Sequence, residues 1–278
     1  MSSSRLTEDL INRFRIYLVH EEKAQATIEK YLRDLRSFAD FNKEGELTKE
    51  KTLAFKEHLL KENYAVRSIN SMIASINSFF KFIGRNDLCL KALKQQKEIY
   101  SKAEKELSKA EYQRLLQAAE EKPQLRLIIQ TICGTGIRVS ELCHFTVEAL
   151  QKGEVLIHCK GKLRQILIPG KLIKMLLRYA KLQKIKNGPI FINKKREPIG
   201  RSQIWAQMKA LCREAAVDSK KVFPHNLRKL FARTFYGIEK DIAKLADILG
   251  HSSINTTRIY IMTTGIEHRR KIERLGLV

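Results

Sequence analysis

The sequence predicts a mostly α chain with one small antiparallel β-sheet (an α+β class), split into an all-helical N-terminal domain and a mixed second domain. Three observations predict it. Apolar residues recur at helical spacing through roughly the first 85 residues. A lysine-rich polar stretch with few apolar anchors follows. Beyond it, two short β-like runs flank a basic turn inside an otherwise helical region.

In the first domain, residues 1–88, the segment from Leu6 to Val19 is the first helix. Ile28, Tyr31, Leu32, Leu35, Phe38 and Ala39 mark the second. Thr48 caps a third through Lys61, with Lys49 and Glu50 in its first turn and Leu53 and Leu59 in its body. Ile69, Met72, Ile73, Ile76, Phe79, Phe80 and Ile83 mark the fourth, which Gly84 stops. Residues 89–106, with Lys91, Lys94, Lys97, Lys102 and Lys105, read as an inter-domain linker, with one exposed helix as the alternative.

The second domain, residues 107–278, opens with Ser108 as an N-cap and Glu111 three residues on, a capping-box spacing. Helices are expected over 109–120 and 124–133, from near Val139, and over 171–184, 201–215, 225–236, 240–249 and 265–275. Glu154–Cys159 and Gln165–Ile168 are the expected strands, around the turn Lys160-Gly161-Lys162-Leu163-Arg164.

Charge names the class of partner. The 278 residues hold 53 Lys and Arg against 30 Asp and Glu, net +23, which favours a polyanion such as DNA or RNA. Residues 1–100 contribute 18 basic and 14 acidic residues, so residues 101–278 carry +19 of that excess. The composition, 44% hydrophobic and 30% charged, is that of a soluble globular chain. No run approaches the ~18 apolar residues of a membrane span, and the N-terminus lacks the apolar core of a signal peptide, so a cytoplasmic protein without membrane partners is expected. The five cysteines (Cys89, Cys133, Cys143, Cys159, Cys212) form no C-x-x-C pair, which speaks against a disulfide framework or a zinc site.

Four segments of the second domain hold the groups that phosphodiester chemistry needs without a metal. They are Thr135-Gly136-Ile137-Arg138-Val139-Ser140-Glu141-Leu142, the turn at Lys160, His225-Asn226-Leu227-Arg228, and Leu249-Gly250-His251 with Tyr260 nine residues later. Guanidinium forks can hold non-bridging oxygens bidentately. A Lys or His can protonate a leaving 5′ oxygen. A tyrosine can form a covalent intermediate, and with a pKa near ~10 it needs positive neighbours or a base to do so. Singly, each residue has a plain structural reading: a surface arginine, a turn lysine, a core tyrosine, or histidines at helix ends. Their joint arrangement points to the chemistry.

That arrangement resembles the tyrosine recombinases, the family of phage integrases and Xer-type resolvases. Thr135–Leu142 is similar to the family's first box, with Arg138 at its arginine and Glu141 at its acidic position. Lys160-Gly161 is similar to the Gly-Lys-Gly turn, with Cys159 replacing the first glycine. His225–Arg228 is similar to the H-x-x-R box, and Leu249–Tyr260 to the final box with its nine-residue step. Ala26-Thr27-Ile28-Glu29-Lys30-Tyr31-Leu32-Arg33-Asp34-Leu35 resembles the T-x-x-x-Y-x-x-D-L helix of the SAM-like core-binding domain. Lys229 departs from the histidine that many relatives carry there, and Lys162 rivals Lys160 as the catalytic lysine.

The resemblance implies a site-specific recombinase that forms a 3′-phosphotyrosyl bond at Tyr260. Arg138 and Arg228 would clamp the phosphate, Lys160 would protonate the leaving oxygen, His225 and His251 would bind the phosphate or move the tyrosine proton, and Glu141 would orient its neighbours. It implies no cofactor and activity in EDTA. It implies double-stranded DNA with specific sites as partner, held in a C-shaped clamp, and a homotetramer passing through a Holliday junction, alone or with a second recombinase. The tail from Gly265 to Val278 would dock on a neighbouring subunit. Two other readings stay open: a type IB topoisomerase and a catalytically silent DNA-binding protein.

Overall fold

The computed structural model describes residues 6–43, 45–94, 106–159, 162–262, 269 and 272–276, and only the backbone of residues 158, 159 and 162. The chain forms two compact units, Met1–Lys97 and Glu98–Val278.

The described residues of the first unit form four α-helices, α1 (Glu8–His20), α2 (Gln25–Asn42), α3 (Lys49–Lys61) and α4 (Val66–Phe82), followed by a 3₁₀ turn at Asn86–Leu88. Thr7 and Thr48 cap α1 and α3, their hydroxyls each accepting a backbone N–H at 3.3 Å. The apolar stripes meet in a core of Phe14, Leu35, Phe38, Ile69, Ile76, Phe79 and Phe80. Among the described residues here one charged side chain is buried: Asp34 receives Lys30 Nζ at 2.6 Å and the Ser75 hydroxyl at 2.8 Å, tying α2 to α4. After Gly84 the chain does not leave the bundle. Leu88 and Leu90 are buried, and Asn77 and Asn70 each exchange a pair of hydrogen bonds with the backbone of Leu90 and Leu93. Residues 91–94 are therefore strapped along α4 in non-helical form, and residues 95–105 of the expected linker lie outside the described residues.

The second unit comprises α5 (Lys109–Ala118), α6 (Pro123–Thr135), a 3₁₀ turn at Val139–His144, and α7 (Val147–Lys152). A hairpin follows, β1 (Glu154–Cys159) and β2 (Lys162–Leu167), then α8 (Gly170–Leu182), α9 (Arg201–Ala210), α10 (Pro224–Ile238), α11 (Ile242–Leu249) and α12 (Ile254–Ile261). Ser108 and Glu111 close the expected capping box on α5. The strands pair antiparallel from Glu154↔Leu167 to Cys159↔Lys162, so only residues 160 and 161 separate them. Val155, Ile157 and Ile166 face the core, while Leu156, Leu163 and Leu167 face outward.

The structure corrects several expected elements. The second strand begins at Lys162, not Gln165, because the basic segment alternates inward and outward instead of turning. The helix expected from Val139 is a 3₁₀ turn, and a separate α7 follows where Thr146 caps and Gly153 (φ 80°) terminates. The helix expected over 201–215 ends at Ala210, the chain turning through Ala216 at φ 48°. The helix α12 was not expected at all. The tail helix over 265–275 lies outside the described residues except at Arg269 and 272–275. Among the described residues no helix is long and apolar enough to cross a membrane.

Candidate active site

The site is assembled from the ends of elements. Gly136 closes α6 in the left-handed region (φ 67°), turning the chain so that Arg138 stands just outside the helix. Glu141, one 3₁₀ turn later, is 5% exposed and reaches back: Oε2 accepts the Arg138 backbone N–H at 2.7 Å and Oε1 accepts Arg138 Nη1 at 2.9 Å. Pro224, pre-organised for a first turn, starts α10 and places His225 and Arg228 three residues apart on one face.

Arg228 lies beneath the site at 2% exposure. Its Nη1 donates to the Gly136 carbonyl at 2.5 Å, and its Nη2 donates to the Leu249 carbonyl at 2.5 Å and to His251 Nε2 at 3.1 Å. It thus links the C-terminal ends of α6 and α11, where the helix dipoles favour a cation. Burial first, then Arg138, pull its pKa down to about 10, so it stays charged at neutral pH.

His251 follows Gly250, the left-handed cap of α11. An arginine can only donate, so Nε2 is the acceptor and the neutral ring carries its proton on Nδ1. That proton is donated to the hydroxyl of the buried Thr257, 2.9 Å away. Tyr260, on α12, is 7% exposed, its ring edge-on between His225 (centroids 5.0 Å) and His251 (4.9 Å). Its hydroxyl is 3.4 Å from His225 Nδ1. Desolvation lowers both histidine pKa values to about 4; Lys229 and Arg228 add to the effect at His225, Arg228 and Arg138 at His251. Both rings are neutral at pH 7.

Five of the six sequence-predicted catalytic residues, Arg138, His225, Arg228, His251 and Tyr260, converge here with Glu141. The sixth, Lys160, lies outside the described residues, and of its rival Lys162 only the backbone is described. Sequence reading missed two residues. Thr257 orients His251. Arg164 donates Nη2 to Glu141 Oε2 at 2.5 Å and Nη1 to the carbonyls of Ile248 (3.3 Å) and Leu249. Its signal was available: a charged residue two positions from Ile166, on the inward side of a half-buried strand.

The sequence matches the phage integrase family over residues 105–265 and the family's N-terminal SAM-like domain over residues 11–86. The chain belongs to the tyrosine recombinases, in the phage integrase family. It is 31% identical to the tyrosine recombinase XerA of Pyrococcus furiosus, over 100% of this chain and 98% of that protein. A crystal structure of a XerA recombinase superposes with a TM-score of 0.55 at 25% identity, covering 98% of this chain and 100% of that one. The fold also matches a lambda integrase tetramer bound to a Holliday junction, with a TM-score of 0.72 at 20% identity, over 93% of this chain and 78% of that one. This recombinase is therefore a site-specific enzyme that cleaves and rejoins DNA.

The neutral histidines give the recombinase a pH-dependent stability. Their folded-state pKa values, about 4, lie below the roughly 6.5 of an unfolded histidine. As pH falls below ~6.5 the unfolded chain takes up protons that the folded chain refuses, so stability drops until about pH 4 and then levels as far as these groups contribute. Melting temperatures measured from pH 7.5 to 4.5 should fall, and the slope should flatten in His225→Gln/His251→Gln. An unchanged slope in the double variant would locate the effect elsewhere.

Proposed function

We propose that Tyr260 is the nucleophile and His225 its proton acceptor. The observation that carries this is the Tyr260 hydroxyl 3.4 Å from Nδ1 of His225, whose ring, its pKa lowered to about 4, is neutral at pH 7 and has one nitrogen able to accept a proton. Tyr260 Oη attacks the scissile phosphorus as its proton passes to His225 Nδ1. The bond to the 5′ oxygen breaks, and Lys160 supplies the proton that turns it into a free hydroxyl. One phosphodiester is exchanged for one phosphotyrosyl ester, so attack by a 5′ hydroxyl reverses the step without an energy source.

Arg138 and Arg228 neutralise the non-bridging oxygens and His251 hydrogen-bonds one of them. The two arginines are not equivalent. The Arg138 side chain is 38% exposed and open to a phosphate; Arg228 acts first as a charge fixed underneath, and touches the phosphate only after a local shift of the side chains above it. Glu141, paired with Arg138 and Arg164, orients them and is not repelled by the phosphate. The enzyme acts in the cytoplasm on duplex DNA carrying specific sites, which both the helical domain 1–88 and the catalytic domain 107–278 contact, as a tetramer exchanging strands in pairs. The +19 of residues 101–278 supports the phosphate contacts this requires and a steep salt dependence.

Trapping on a nicked suicide substrate in EDTA tests the assignment. A covalent adduct resistant to denaturation is expected from the wild type and none from Tyr260→Phe, with DNA binding retained. An adduct persisting in Tyr260→Phe would assign the nucleophile to another residue. A strict need for a divalent metal would refute the metal-free scheme.

A further inference from the structure

We propose that Arg164 is a positioning residue of the phosphate clamp: it fixes Glu141, and through Glu141 fixes Arg138, against the end of α11 that carries His251. The inference rests on the clamp assigned above to Arg138, Arg228 and His251.

Four observations support it. The Glu141 carboxylate is shared, Oε1 taking Arg138 Nη1 at 2.9 Å and Oε2 taking Arg164 Nη2 at 2.5 Å. Held from both sides, the carboxylate has one orientation, and Arg138 inherits it. Next, three guanidiniums converge on the last carbonyls of α11: Arg164 on Ile248 and Leu249, Arg228 on Leu249, and Arg138 on Gly250 at 3.1 Å. The negative end of the helix dipole offsets part of their mutual repulsion and ties all three to the segment leading into His251.

Third, the backbone makes room for this side chain. A Cβ on Gly250 would stand 2.8 Å from Arg164 Cδ and Nη1, and Gly250 lies at φ 62°. Fourth, the Arg164 side chain is only 11% exposed, so it is withdrawn from the surface that a duplex would meet. Its guanidinium is spent on Glu141 and the end of α11, whereas that of Arg228 reaches His251. Arg164 is turned inward from β2, joining the hairpin to the two boxes that hold the clamp.

A positioning role differs from general stabilisation because it depends on the charge of the scissile phosphate. Replacing one non-bridging oxygen by methyl removes that charge and the need for a well-aimed clamp. Single-turnover cleavage of suicide substrates carrying a phosphodiester or a methylphosphonate at the scissile position should be measured for wild type, Arg138→Ala, Arg164→Met and Arg164→Lys. Arg164→Met is expected to slow phosphodiester cleavage roughly 10- to 100-fold, the scale of a small misplacement of a catalytic group. On methylphosphonate the deficit should shrink, as it should for Arg138→Ala. Arg164→Lys, a point charge without the fork, should recover only part of the rate. Glu141→Gln/Arg164→Met should be no slower than the slower single variant, because the two act through one another.

Wild-type cleavage by Arg164→Met, or equal slowing on both linkages, would overturn the proposal. If Arg164→Met melts without cooperativity, the same ratio of linkages is read from Arg164→Lys. An Arg138→Ala deficit equal on both linkages would instead overturn the clamp itself and this proposal with it. Recovery of Arg138→Ala without recovery of the Arg164 variants would overturn this proposal alone.

Discussion

Arg228→Ala is expected to lower the cleavage rate by about 10³-fold or more, the scale of removing a preorganised cation from a phosphoryl or oxyanion transition state. The structural cost should be smaller, because two effects oppose. Removing the guanidinium takes its side-chain donor from the Gly136 carbonyl, at about 1–3 kcal/mol, leaves the Leu249 carbonyl with Arg164 alone, and opens a cavity. It also releases a cation held at 2% exposure, whose Nε has no partner among the described residues, and the desolvation of a buried charge is itself worth several kcal/mol. Stability should therefore change by no more than about 3 kcal/mol, the range of most single substitutions, while cleavage is nearly lost.

Arg228→Lys separates charge from geometry. One ammonium cannot span two carbonyls, His251 and a phosphate, so about 10²-fold of the loss should remain. Single-turnover cleavage beside DNA binding and urea unfolding reads all three quantities. Cleavage by Arg228→Ala within tenfold of wild type (~1.4 kcal/mol of barrier) would show that the buried guanidinium is scaffolding only.

The same burial explains what the sequence could and could not say. Three of the four boxes were legible because each is a short local signal: a cap glycine with an arginine two residues on, a proline-started helix with His225 and Arg228 on one face, a glycine cap before His251. The first domain was legible because its helices are amphipathic, with Phe, Leu and Ile at strict helical spacing. Elements whose cause is tertiary were not. The helix α12, Ile254-Asn255-Thr256-Thr257-Arg258-Ile259-Tyr260-Ile261, is rich in β-branched residues with weak helix propensity; burial of Thr257 and Tyr260 holds it. Lys162–Arg164 looked like a turn because charge was read as exposure. Arg164 instead points inward to a carboxylate 23 residues away in sequence, a pairing that no local pattern reveals.

Gly136→Ala should be the most damaging single methyl in the second unit. An alanine there must adopt φ 67°, at about 1–2 kcal/mol. Its Cβ would also fall 2.6 Å from Phe231 Cε1, closer still to Cδ1, and 3.1 Å from Leu249 Cδ2. Phe231 and Leu249 belong to the small core that also holds Tyr260, so the strain is delivered into the packing of the nucleophile. Overpacking adds about 1–3 kcal/mol, for a total of roughly 2–5 kcal/mol. Gly153→Ala is the matched control: it sits at φ 80° with its nearest foreign atom 3.9 Å away, so it should carry the conformational cost alone. The difference between the two variants in urea unfolding isolates the clash. Cleavage should follow, because Gly136 also lends its carbonyl to Arg228 and turns the chain towards Arg138. Phe231→Leu added to Gly136→Ala should return part of the stability by making room, and less of the activity, since the altered turn still misaims Arg138. Equal losses from Gly136→Ala and Gly153→Ala would mean that Phe231 yields freely and that the turn, not the packing, is what the glycine protects.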